Sequence, residues 1–314
     1  MKTLYLDAHT APQTLPSVAT VGFFDGVHRG HQYLIRRVIA DARTEGMRSM
    51  VITFDRHPRQ VLQQDYQPEL LTTLDAKLLH LARTGVDIVV VLHFDEAMAR
   101  LSARAFMQQV LVGRLGVRRM VTGYDNRFGH NRSEGFDDYV EYGRQMGMQV
   151  VRQPAFLLNG VQVSSSVVRS FLREGEIEMA NQCLGYPFTV VGRVVDGFKK
   201  GRELGFPTAN LDTSEFGQLV PGGGVYAVRA RLEQTVAFMP AMTNIGTRPT
   251  FGGSQRTLET FIFRFHDNIY GKLLQLSFIR RIRSERHFEH VTQLIEQLKD
   301  DERQVEALFN DEMD

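Results

Sequence analysis

The stretch Val18-Ala19-Thr20-Val21-Gly22-Phe23-Phe24-Asp25-Gly26-Val27-His28-Arg29-Gly30-His31 decides how the first half of this 314-residue chain folds. Its apolar run, Val18 to Phe24, reads as a buried strand. Glycines at 22, 26 and 30 then punctuate a turn, and a helical pattern follows from Gln32 to Thr44. The same alternation recurs outward from there. Runs rich in Val and Ile at Met50 to Phe54, Asp87 to Phe94, Arg119 to Thr122 and Gln149 to Val151 are predicted strands. Between them Thr73 to Arg83, Ala103 to Leu115 and Phe136 to Met146 are predicted amphipathic helices, the first opened by a capping box of Thr72 and Asp75. Strands alternating with helices imply an α/β doubly wound parallel sheet, with ligands at the carboxyl ends of its strands.

The pattern changes near residue 160. Asn159-Gly160, between Phe156-Leu157-Leu158 and Val161-Gln162-Val163, suits a type I′ hairpin turn, and short helices are predicted at about Ser166 to Arg173 and Ile177 to Leu184. Beyond Gly185-Tyr186-Pro187 come strands alone: Phe188 to Val195, Val225 to Leu232, Val236 to Thr243, Thr257 to Phe265 and Leu273 to Phe278. Closely spaced strands without helices imply an antiparallel β-barrel or sandwich, closed here by a charged amphipathic helix from Glu289 to Leu308. Two domains are therefore expected, 1–185 and 186–314.

Composition excludes several classes. A formal net charge of +1 supplies no basic field for nucleic acid, and a single cysteine makes neither an intrachain disulfide nor a cysteine-based zinc cluster. No apolar run reaches the ~18 residues of a membrane span, and the N-terminus lacks a secretory pattern. A cytoplasmic protein acting on small molecules, with no nucleic-acid or membrane partner, is the expectation. Oligomeric state is not legible.

His28 and His31 stand three apart where the strand–turn opens a helix, so they are expected on one face beside free N–H groups and the positive end of the helix dipole. That combination suits a nucleoside triphosphate attacked in line at its α-phosphorus, with positioning and charge stabilisation and no covalent enzyme intermediate. Alone, the pair also fits packed histidines or a metal site. Two further segments carry oxygen and cationic donors. Ser164-Ser165-Ser166 with Arg169 a turn later offers hydroxyls and a fork donor to phosphates, or a plain helix cap. Lys199-Lys200-Gly201-Arg202-Glu203-Leu204-Gly205-Phe206-Pro207-Thr208-Ala209-Asn210 makes a phosphate-approaching loop whose Thr208 and Asn210 place two oxygen ligands on one face, suited to Mg²⁺, or a turn leading into a strand.

Gly22 to Gln32 resembles the His-x-Gly-His segment of the nucleotidyltransferase superfamily, in the form found in bacterial bifunctional riboflavin kinase/FAD synthetases. Thr53-Phe54-Asp55-Arg56-His57-Pro58, Gly123-Tyr124-Asp125-Asn126-Arg127-Phe128-Gly129 and Val163 to Arg169 are similar to that family's segments in order, with Arg56 replacing proline and Asn126 an aromatic. In the second half Gly201 to Asn210, Asn244 to Phe251, Leu258-Glu259-Thr260 and Asn268 to Lys272 resemble its riboflavin kinase module, with Phe198, Phe261 and Arg264 as departures.

The resemblance implies two reactions: riboflavin with ATP to FMN, and FMN with ATP to FAD and pyrophosphate. It implies catalytic roles for His28, His31 and Glu259, the last as base toward the riboflavin 5′-hydroxyl. Gly22, Phe23, Asp25, Gly30, His57, Ser165, Ser166, Arg169, Lys199 and Gly205 are the expected ATP contacts. Asp125, Arg127, Asn244 and Arg248 are the expected flavin contacts, and Thr208 and Asn210 the Mg²⁺ ligands. The chain has no tryptophan, which leaves Phe and Tyr to stack on the isoalloxazine ring. A single-activity riboflavin kinase and a non-catalytic flavin- or nucleotide-binding protein are the competing readings.

Overall fold

Six parallel strands form the first sheet: β1 (Lys2–Leu6), β2 (Ser17–Val21), β3 (Arg48–Phe54), β4 (Ile88–Leu92), β5 (Val117–Thr122) and β6 (Gln149–Arg152). The computed structural model describes residues 1–7, 15–63, 65, 67, 69–130, 133–197, 201, 204–233, 235–250 and 253–310, with backbone alone at 248–250 and 253–255. The strand order is β1-β4-β3-β2-β5-β6. The chain therefore winds outward from β2 in both directions, and the switch point lies between β2 and β5.

The helices α1 (Arg29–Thr44), α2 (Pro58–Leu62), α3 (Leu74–Arg83), α4 (Glu96–Ala99), α5 (Ala103–Phe106) and α6 (Phe136–Met146) accompany this sheet. Both faces of the sheet are covered, which is why β2 and β4 are buried along their whole length. Alternation in β3 divides its side chains between two cores. Met50, Ile52 and Phe54 join Phe106, Leu111 and Tyr139 on one face, while Val51 joins Ile35, Val38 and Leu81 on the other.

By contact, residues Met1–Pro68 with Thr73–Ser164 make one compact unit, and Glu69–Thr72 with Ser165–Asp314 make the other. Unit 1 ends in a hairpin, β7 (Leu157–Leu158) with β8 (Val161–Gln162), whose turn residues Asn159 and Gly160 both have positive φ, 50° and 79°, as a type I′ turn requires. Unit 2 opens with α7 (Ser165–Glu174) and α8 (Ile177–Leu184). These two helices pack with the strands that follow. Asn181 donates to Phe278 O and accepts from Phe188 N, and Gly222 N donates to Leu172 O. The contact boundary thus falls about twenty residues before the change of periodicity.

Unit 2 is a closed barrel of β9 (Thr189–Val195), β10 (Ala209–Asp212), β11 (Gly224–Leu232), β12 (Met239–Thr250), β13 (Gly253–Ile262) and β14 (Leu273–Arg283), ordered β10-β13-β12-β11-β14-β9 with antiparallel pairs. A sandwich is excluded by the closure. Leu258, Thr260 and Ile262 are buried on one face of β13. Phe261 and Phe263 belong to the other face, in the apolar layer that Val305 and Phe309 of α9 (Val291–Asn310) complete. Segment Glu69–Thr72 joins this unit through a bridge of Leu70 with Gln218, Arg169 Nε donating to Glu69 O at 2.9 Å, and an Arg173–Glu69 ion pair.

Several expectations need correction. Thr73, one residue later than expected, caps α3 by accepting from Ala76 N. The first predicted strand stops at Val21, because Phe24 turns to a left-handed φ of 55°. The helix after Ala103 changes to π geometry over Met107–Val112. Strand β12 starts at Met239, and the apolar Val236 that suggested an earlier start is 94% exposed.

Candidate active sites

Two loops meet at the switch point of the parallel sheet, Gly22 to His28 after β2 and Gly123 to Gly129 after β5. Asn126 ties them by donating its amide to Val21 O at 2.6 Å, so the residue standing where the family has an aromatic acts as a clasp. His28 is not inside the first helical turn but is its N-cap: its Nδ1 accepts from His31 N at 3.3 Å. The two imidazoles nevertheless share a face, stacked at 3.6 Å between centroids and 20° apart in plane. Phe24 meets His31 edge-on at 5.0 Å. A Cβ at Gly30 would lie 2.9 Å from Val163 O and 3.1 Å from the His28 ring, so only glycine lets the ring close over the helix start.

Burial holds the His31 pKa well below the ordinary imidazole value, helped by the charges of His28 and Lys77. His31 is therefore neutral at pH 7 and carries a single ring N–H. Its Nδ1 is buried and lacks a hydrogen-bond partner among the described residues.

The neighbouring expected residues take distinct positions. Gly22 and Phe23 begin the turn and Asp25 is buried within it. His57 caps α2, accepting from Arg59 N at 3.1 Å, and stands edge-on to Phe23 at 4.8 Å. Asp125 and Arg127 line a cavity of about 320 Å³ with Tyr124, Phe136 and Arg152, the Arg152 guanidinium 4.0 Å from the Phe136 ring centroid. Ser165, Ser166 and Arg169 all lie on α7 in unit 2.

Sequence reading missed Lys77, whose ammonium is buried and donates to Phe23 O at 3.1 Å and Phe54 O at 3.0 Å. The available signal was a lysine on the Leu74, Leu78, Leu81 stripe of an amphipathic helix.

In the barrel, register builds the second site. Asn210 pairs with Glu259, Glu259 with Asn244, Asn244 with Val225, and Val225 with Arg283. Directly opposed residues point to one face, so these five form a row across five strands. Glu259, Asn244 and Arg283 line a cavity of about 400 Å³ with Thr208, Phe261 and Phe288. Thr208 also lines a second cavity, of about 500 Å³, with Ala209, His266 and Tyr270. Gly205 turns the loop before them with φ 84°.

Arg283 is held by Asp301 of α9. Arg283 Nε donates to both carboxylate oxygens, at 2.9 and 3.0 Å, and Nη2 donates at 2.8 Å. Arg264 leaves the strand in a left-handed turn, φ 56°, and pairs with Glu306 at 3.2 Å. Lys199 lies outside the described residues, as does the side chain of Arg248, whose backbone runs in β12.

A family model of FAD synthetase matches residues 10–167, and one of riboflavin kinase matches residues 184–309. The bifunctional riboflavin kinase/FMN adenylyltransferase of Listeria monocytogenes is 38% identical over 316 residues, covering 98% of each chain. This chain belongs to that bifunctional family. Its counterpart from Escherichia coli strain K12 is 36% identical over 292 residues, covering 93% of this chain and 92% of the other. A crystal structure described as a macrolide-efflux protein from Streptococcus pneumoniae superposes with a TM-score of 0.85 at 30% identity, covering 96% of this chain and 98% of that one. Among the described residues no helix is long and apolar enough to cross a membrane.

Proposed function

We propose that the chain converts riboflavin to FMN on the Glu259 face of its barrel and FMN to FAD at the His28–His31 turn. The observation that carries the second assignment is the imidazole pair stacked over the N-terminus of α1, at the switch point of a parallel sheet. In adenylyl transfer an FMN phosphate oxygen attacks the α-phosphorus of ATP as the bond to pyrophosphate breaks. Charge accumulates on the non-bridging oxygens of the α-phosphate. Helix N–H groups and the His31 ring N–H are proposed to meet it, beside the buried Phe24 and His28. Gly22, Phe23, Asp25, Gly30 and His57 are the turn residues proposed to hold the nucleotide. Ser165, Ser166 and Arg169, on α7 of unit 2, are proposed phosphate contacts. Asp125 and Arg127, on the 320 Å³ cavity, are proposed to take the flavin nucleotide.

In the kinase reaction Glu259 accepts the proton of the riboflavin 5′-hydroxyl as that oxygen attacks the γ-phosphorus and ADP departs. Phe261 and Phe288 line the cavity beside it and supply ring faces for the isoalloxazine, with Asn244 and Arg248 as polar flavin contacts. The proposed Mg²⁺ ligands are neutral oxygens. A Cβ at Gly197 would fall 2.9 Å from the Asn210 amide oxygen, and one at Gly201 would fall 3.3 Å from the Thr208 hydroxyl, so both oxygens sit against bare backbone. Hard oxygen donors of this kind fit Mg²⁺, which when bound neutralises phosphate charge. Lys199 and Gly205 flank that loop as proposed ATP contacts. ATP as co-substrate supports the cytoplasm as the compartment.

The test is incubation of the purified chain with riboflavin, ATP and Mg²⁺ and chromatographic detection of product. FMN followed by FAD is expected. FMN alone would reduce the protein to a kinase, and neither product would leave a flavin-binding protein.

A further inference from the structure

The turn between β2 and α1 is strained. Phe24 has φ 55° and Val27 has φ 34°, and a β-branched residue at positive φ is an outlier that persists only where its surroundings over-determine it. Those surroundings are identifiable. The Phe23 carbonyl, at the mouth of the turn, receives Thr53 Oγ1 at 3.0 Å and Lys77 Nζ at 3.1 Å. Lys77 Nζ also donates to Phe54 O at 3.0 Å, joining the carboxyl ends of β2 and β3, and sits 4.2 Å from the Phe23 ring centroid. At 2% exposure it is shielded from solvent, and thus from a nucleotide.

We propose that Lys77 is a positioning residue for adenylyl transfer, fixing through the Phe23 and Phe54 carbonyls the turn that presents His28 and His31. This rests on the assignment of FAD formation to that turn. Burial lowers the Lys77 pKa to about 8, against the opposing pull of Asp25 in the turn and Asp55 after β3, while the Lys77 charge in turn lowers that of His31 on α1. The fold therefore carries, below pH 8, a cation that burial penalises. Perturbed buried groups of this kind cluster at functional sites. Deprotonation weakens the two charge-assisted bonds, so FAD formation falls as pH rises through about 8.

The experiment uses the full chain and follows FMN formation from riboflavin separately from FAD formation from FMN. Lys77→Met is expected to lower kcat for FAD formation by about a hundredfold, the scale of a 1 Å misplacement, with KM for ATP little changed. FMN formation persists, and the residual FAD activity loses the decline near pH 8. Thr53→Val, which removes the other donor to the same carbonyl, lowers kcat by a smaller factor. Wild-type kcat and pH profile in a folded Lys77→Met overturn the proposal while leaving the adenylyl-transfer assignment intact. An unsubstituted protein that makes no FAD removes both. Should Lys77→Met not fold, unchanged kcat in Thr53→Val together with a flat wild-type profile from pH 7 to about 9 overturns it.

Discussion

Replacing Asp301 by asparagine keeps its shape and removes its charge. The side chain of Asp301 is fully buried and that of its partner Arg283 is 12% exposed, so water cannot rescue the guanidinium. Gln297 also donates to Asp301, at 2.9 Å, and the new amide would set N–H groups against donors. Removing one partner of such a pair costs ~3–5 kcal/mol, because the other is left as an uncompensated buried charge. A unit of this size loses ~2–4 °C in Tm per kcal/mol, which gives a fall of roughly 6–20 °C. Arg283 stands in the same barrel row as Glu259, so FMN formation should fall with it. The assay is scanning calorimetry of the full chain, paired with separate FMN and FAD measurements. A Tm within ~2 °C of wild type and unaltered FMN formation would refute the reasoning. Pairing Asp301→Leu with Arg283→Met should recover most of the lost stability, since a packed apolar pair carries no desolvation cost.

Replacing both His28 and His31 by alanine should lower FAD formation by on the order of a hundredfold or more, with FMN formation persisting; steady-state rates on the two reactions check it. Glu259→Gln cannot accept a proton, so kcat for FMN formation should fall by ~10²–10⁴ with little change in KM, whereas FAD formation from supplied FMN continues. Gly30→Ala sets a Cβ against Val163 O and the His28 ring, and a selective loss of FAD formation is expected, with the kinase rate as the internal control.

Periodicity made the architecture legible because both sheets obey it. The Val/Ile runs of β3 and β4 are buried on both faces, and the Pro221–Gly224 interval of the second half leads directly into β11. What escaped was long-range. Strand β1 is a short edge strand whose half-exposed pattern, with Tyr5 60% exposed, gives no buried run to find. Helices α7 and α8 look like the end of an α/β pattern, yet their hydrogen bonds go to Phe278, Phe188 and Gly222. The histidines, glycines and Glu259 were readable from local motifs. Lys77 and Asp301 were not, although they share a mark: each is a charge on the apolar stripe of its helix, Asp301 among Leu294, Leu298, Val305 and Phe309. A charge in that position announces a distant partner without naming it.

Segment Glu69–Thr72 has a consequence for the order in which the chain is made. It is synthesised early, but Gln218, which its Leu70 bridges, follows about 150 residues later, roughly 8–30 s at ribosomal speeds. Every strand of the parallel sheet has emerged by Arg152, so that sheet is able to assemble while the segment still has no barrel to join. Closure then spans a loop of which the finished sheet has already ordered a large part, which shortens the free chain that must still be ordered. Birth of the barrel is thus timed to follow the sheet. A ribosome stalled before Gln218 would hold a finished first half with an unclaimed strap, a species that pulse proteolysis at residues 69–72 should reveal.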